Sequence, residues 1–91
     1  MKSPEELTKD AMRGEKARQI IEDPLVREVL DDMRADVFNN FRTSTWYRKK
    51  EREELFKMIR AIDDFESRFK KRMEHGKKAK SLLEKLYNKG E

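Results

Sequence analysis

Apolar side chains return at helical spacing over most of this 91-residue chain, and the longest regular run lies in its second half. From about Thr45 to Asn88 there is no proline, one glycine, and a stripe made of Leu55, Ile59, Ile62, Phe65, Phe69, Met73, Ala79, Leu83 and Leu86. Steps of three and four place these side chains on one face of a helix. At 1.5 Å per residue that helix would be roughly 65 Å long, more than the width of a packed domain this small, so it must stand as a rod. The step from Met73 to Ala79 breaks the rhythm, and Gly76 falls inside it. A kink, the end of a first segment and a close approach by another helix would each account for a glycine there. Set out as heptads, Leu55, Ile62, Phe69 and Leu83 share one core position and Ile59, Met73 and Tyr87 the other, but Glu66, Gly76 and Lys80 fall on core positions too. The pattern is coiled-coil-like, yet suits bundle packing better than a clean coiled coil.

Two shorter patterns precede the rod. Ser3-Pro4-Glu5-Glu6 is a helix start, with Ser3 as N-cap, Pro4 where its missing N–H costs nothing, and Glu6 completing a capping box. The helix that follows should run to about Glu22. Its apolar face is poor, holding Leu7, Ala11, Ala17, Ile20 and Ile21, and Gly14 in its middle costs about 1 kcal/mol relative to alanine. Residues 1–22 are therefore expected to form an arm that frays or waits for a partner. Asp23-Pro24 repeats the start signal and bends the chain. From Leu25 to Phe41 the wide face of Leu25, Val26, Val29, Leu30, Met33, Val37, Phe38 and Phe41 predicts a helix that covers the first half of the rod. Asn39 to Thr45 reads as the turn between them, with Thr43 and Thr45 as candidate caps for the rod. A connection this short implies antiparallel neighbours. The expected fold is a single all-α domain over 1–91: an antiparallel helical hairpin with a long C-terminal helix and a bent or broken N-terminal arm, helices at about 4–22, 24–41 and 45–88. Trp46 and Tyr47 would sit at its tip, closing it on Phe38 and Phe41; left exposed, the tryptophan would anchor a partner.

Composition narrows the function. Charged residues are 46% of the chain and hydrophobic ones 35%, so the core must be thin and the apolar residues must keep helical phase to fold at all. There is no cysteine, hence no disulfide frame and no thiolate chemistry, and no run long enough to span a membrane. The first residues lack the apolar core of a secretion signal. A soluble, cytoplasmic protein is expected. Residues 1–41 hold seven Lys/Arg against ten Asp/Glu, net −3, and residues 42–91 hold sixteen against nine, net +7. An acidic first half lying against a basic second half would help the hairpin choose its register, whereas a basic rod would suit an acidic partner.

No catalytic constellation is present. His75 stands alone without cysteines, and Glu74 beside it points elsewhere on a helix. The pairs Asp31-Asp32 and Asp63-Asp64 diverge by about 100° per residue, with no second motif converging on them. Phosphate loops, Ser-His-Asp order and dinucleotide fingerprints are lacking. The chain is not expected to be an enzyme, nor to take a cofactor, a metal or a small-molecule substrate. The basic clusters Arg48, Lys49, Lys50 and Arg52, then Arg68, Lys70, Lys71 and Arg72, then Lys77, Lys78 and Lys80 could lie along the phosphates of DNA, with Trp46 and Tyr47 stacking on bases. Glu51, Glu53, Glu54, Asp63, Asp64, Glu66 and Glu74 alternate with them, as in ordinary solvated helices. Assembly is the leading expectation. A hairpin with one bend cannot enclose its own stripe, so Trp46, Tyr47, Phe65, Phe69, Met73, Leu82, Leu83, Leu86 and Tyr87 are candidate interface residues for a homo-oligomer or for docking on a larger protein complex.

Taken together, the run Glu15 to Leu25, the tip Trp46, Arg52-Glu53-Glu54-Leu55-Phe56 and Gly76-Lys77-Lys78-Ala79 resemble small helical proteins encoded among the structural and packaging genes of tailed bacteriophages. The resemblance covers roughly residues 15 to 86. It implies a part in virion assembly or DNA packaging, in the host cytoplasm or the virion, and carries over no functional residue.

Overall fold

A computed structural model of the chain describes residues 2–43 and 48–88. Three helices make up the described residues: α1 (Pro4–Ile21), α2 (Pro24–Thr43) and α3 (Lys49–Asn88). Trp46, Tyr47 and the candidate cap Thr45 lie outside them. The α3 helix is unbroken over 40 residues, and the molecule extends 67 × 27 × 16 Å. Its radius of gyration is 19.3 Å, against about 12 Å for a compact chain of this length. The rod expected from the stripe is there, and Gly76 does not end it.

Each start follows from local chemistry. Ser3 Oγ accepts the Glu6 N–H at 3.3 Å, and Pro4 opens α1. Asp23 Oδ1 accepts the N–H groups of Leu25 and Val26 at 2.9 and 3.2 Å, which caps α2 at the break. The end of α2 differs from expectation. Asn39 to Thr43 continue the helix instead of turning, because the Thr43 hydroxyl donates to the carbonyls of Asn39 and Asn40 and Phe41 is held edge-on against Phe56 of α3, 5.4 Å between centroids. Thr43 thus closes α2 instead of capping α3, whose first residue is Lys49.

Both segments of the N-terminal arm run antiparallel to α3. Gly14 lies against Gly76, while Arg34 reaches Asp63 and Glu66, and Phe41 meets Phe56. So α1 lines the C-terminal half of α3 and α2 its N-terminal half, with the break at Asp23-Pro24 between. The core sits at that junction: Ile21, Leu30, Val37 and Ile62 are buried, with Val26, Leu55, Ile59, Phe69 and Met73 packed around them.

The two halves are held differently. Where α1 crosses α3, a Cβ on Gly14 would lie 2.7 Å from Gly76 Cα and 2.8 Å from Arg72 O, so only glycine lets the backbones come this close. Leu7, Ala17 and Ala79 are buried on either side of the crossing. The N-terminal arm is helical from Pro4 and docked on α3, where small residues seat it and large apolar ones are few. On α2 the reverse holds: its apolar face is wide, but Leu25, Val29, Met33 and Phe38 remain 46% exposed or more.

Candidate interaction surface

One flank of the α2–α3 pair is polar and closed. Glu66, at a core position of α3, is 7% exposed and receives Arg34 at Oε2, Arg27 at 3.2 Å and Lys70 at 3.3 Å, while Arg34 also reaches Asp63 at 3.2 Å. The Arg34 hydrogen bond, with help from Arg27 and Lys70, outweighs the burial and holds the Glu66 carboxyl down to about 2. Arg34 is raised in turn, chiefly by its bond to Glu66. The ion pairs that cross from α2 to α3 among the described residues therefore join arginines of the net-acidic half to carboxylates of the net-basic half. This is the opposite of the bulk charge pattern, so the basic excess of α3 is not consumed in choosing the register.

The other flank is apolar and open. Leu25, Val26, Val29, Leu30 and Met33 of α2 face Ala61, Ile62 and Phe65 of α3 across a groove of about 540 Å³ that no charged side chain lines. Through Met33, Ala61 and Ile62 it runs on into a second hollow reaching Asp36, Val37, Asn40 and Met58. Half of Phe65 and half of Met58 are exposed in it. These residues are not stray apolar positions. Met58, Phe65 and Ala79 recur at multiples of seven on one flank of α3; Ala79 is buried where α1 passes, and the two larger side chains stand open where no helix passes.

The residues singled out by sequence fall in several places. Phe65 lines the groove and stacks edge-on with Phe69, 5.1 Å between centroids. Phe69 and Met73 pack against the core of the chain itself. Leu83 is half-buried, whereas Leu82, Leu86 and Tyr87 are exposed at the far end of α3. On the α2 side, Leu25, Val29 and Met33 line the groove instead of covering the rod, and the sequence signal for this is a face wider than one neighbour can cover.

The basic residues do not converge on one site. Arg52 sits over the Phe41 ring at 4.8 Å, Arg48 pairs with Glu51, Lys70 with Glu66 and Arg68 with Asp64. Lys49, Lys50, Lys71, Arg72 and Lys78 are exposed, and Lys77 and Lys80 border a cleft with Glu15 and Arg18 of α1. His75 is exposed on α3. Among the described residues no three His, Cys, Asp or Glu side chains gather as a metal site, and no helix is long and apolar enough to cross a membrane. Comparison with protein families, curated proteins and solved structures finds no match to this chain.

Proposed function

We propose that this protein is a non-enzymatic helical interaction module that works by assembly, joining copies of itself or a larger complex through the open flank of its α2–α3 hairpin. The observation that carries the reading is the groove, a largely apolar channel between two helices, of the kind into which an amphipathic helix docks. Contiguous exposed apolar surface, here Leu25, Val29, Met33, Met58 and Phe65, is a common mark of a binding face. A setting in phage assembly or packaging rests on the sequence resemblance alone.

A photo-crosslinking amino acid at position 65, compared with one at Arg60, tests the reading in the cells that make the protein. Protein adducts should form at position 65 and not at Arg60, which is exposed. Equal or absent adducts at the two positions would remove it.

A second reading, binding to DNA along α3, draws on one further observation. Lys50, Lys57, Lys71, Lys78 and Lys85 recur every seven residues on the outer side of α3, broken by Asp64, and all are exposed. Such a row would bind phosphates with an affinity that falls steeply as salt rises. Replacing Lys70, Lys71, Lys77 and Lys78 by Glu would abolish that binding.

A further inference from the structure

Resting on the interaction reading, we propose that the occupant of the α2–α3 groove is α2 of a second copy of this chain, the two copies lying parallel about a twofold axis along the rod. Size, length and charge each point to it.

The chain exposes 7808 Å², whereas a compact monomer of its mass exposes about 5600 Å². The excess is spread along the rod, and part of it is apolar surface on the α2–α3 face, where Leu25, Val29, Met33, Met58 and Phe65 stand about half exposed or more. A face two helices wide is matched by another of the same width, and stacking two such layers makes a four-helix bundle.

Length fits as well. On the flank of α3 that carries Met58 and Phe65, α1 covers only the C-terminal half, ending at Ile21 near Phe69. The free stretch runs from Lys49 to Phe69 and is about 30 Å long, as is a helix of 20 residues such as α2. The partner's α2 would thus continue the line of α1 down α3, and each α3 would gain neighbours on both flanks along its whole length.

Charge selects the orientation. Glu28, Asp32 and Asp36 step by four along the outer edge of α2, exposed, and no ion pair to any of them is formed among the described residues. The corresponding edge of α3 carries Lys57 and Arg68, which pair with Glu54 and Asp64 of the same helix but stay exposed, and Arg72 beyond them. A twofold axis across the rod would stack α2 on α2 and bring the acidic rows together. An axis along the rod keeps the acidic rows apart and lays each over the α3 edge of the other copy, near the level of Arg68.

Sedimentation equilibrium of the full chain from micromolar to millimolar concentration should give twice 11.0 kDa. Met33→Asp and Phe65→Asp should each return the mass to that of one chain while the far-ultraviolet dichroism stays helical. Because the chain has no cysteine, orientation can be read directly: Asp32→Cys chains mixed with Arg68→Cys chains should oxidise to a mixed dimer. A wild-type monomer at every concentration, a dimer indifferent to both aspartates, or chains joined through Asp32→Cys on both sides would each overturn the proposal. A monomer whose position 65 still crosslinks to another protein would remove self-pairing and leave the interaction reading standing.

Discussion

At the scale of single residues, Glu66 shows how a charge holds a core position. On the heptad pattern it is a fault, since it occupies a place where Ile59 and Met73 stand on either side. In the folded chain Arg27, Arg34 and Lys70 converge on its two oxygens, and no buried side-chain polar atom of the described residues lacks a hydrogen-bond partner. Because its carboxyl titrates near 2 in the fold and near the ordinary 4.5 when unfolded, its stabilisation is complete above pH 4.5 and drains away as the pH falls towards 2. With the two arginines 41% and 29% exposed, solvent screening reduces the contribution to on the order of 2 kcal/mol. Glu66→Gln should therefore lower the urea midpoint at pH 7 and leave it nearly unchanged at pH 2, where the wild-type advantage has gone. An equal loss at both pH values would show that shape, and not charge, is what Glu66 supplies.

At the scale of elements, the α1–α3 crossing reverses the usual meaning of a helical glycine. Alanine normally favours a helix over glycine by about 1 kcal/mol, but at Gly14 its Cβ would collide with Gly76 Cα and Arg72 O, which are backbone and cannot rotate away. Gly14→Ala should then destabilise by roughly 2 kcal/mol net, a fall in Tm of about 10 °C, and Gly76→Ala should act in the same direction. A rise in Tm would mean the helices do not touch there. At the break, Asp23→Ala deprives Leu25 and Val26 of their acceptor and should cost about 1 kcal/mol in thermal unfolding, with Asp23→Asn recovering most of it. These two sites also mark the limits of what the chain reveals in one dimension. Asp23-Pro24 and Ser3-Pro4 declare helix starts because capping involves only neighbouring residues. Gly14 and Gly76 each look like flaws, since the reason for either is the other, on a distant helix. Likewise the end of α2 is not legible locally because Phe41 and Phe56 hold it, and Phe65 stands out as an apolar residue without a cover while Leu25, Val29 and Met33 read as the cover itself. Only the angle at which α2 lies on α3 decides how much of a wide face is left over.

For the molecule as a whole, the contrast between its halves predicts where it opens. The α1 half is seated backbone to backbone, with Leu7, Gly14, Ala17 and Ile21 buried along its length. The α2 half buries only Leu30 and Val37 on its own helix, with Val26 partly buried, and rests beyond those on the ion pairs to Glu66 and on the contacts of Phe41 with Phe56 and Arg52 near its end. Local opening free energy follows buried apolar contact, so amides of α2 should exchange with solvent sooner than those of α1 when the chain is dilute. Filling the groove changes this order. Apolar cover over Val29, Met33 and Phe65 stabilises α2 against α3 and leaves the glycine crossing as it was. Raising the concentration, or adding whatever occupies the groove, should therefore slow exchange in Val26 to Val37 and in Met58 to Phe65, with little change in Asp10 to Ala17. Hydrogen exchange read by mass spectrometry at two concentrations measures this. Protection that rose uniformly along the chain would point to general tightening of the rod and place the contact elsewhere than the α2–α3 flank.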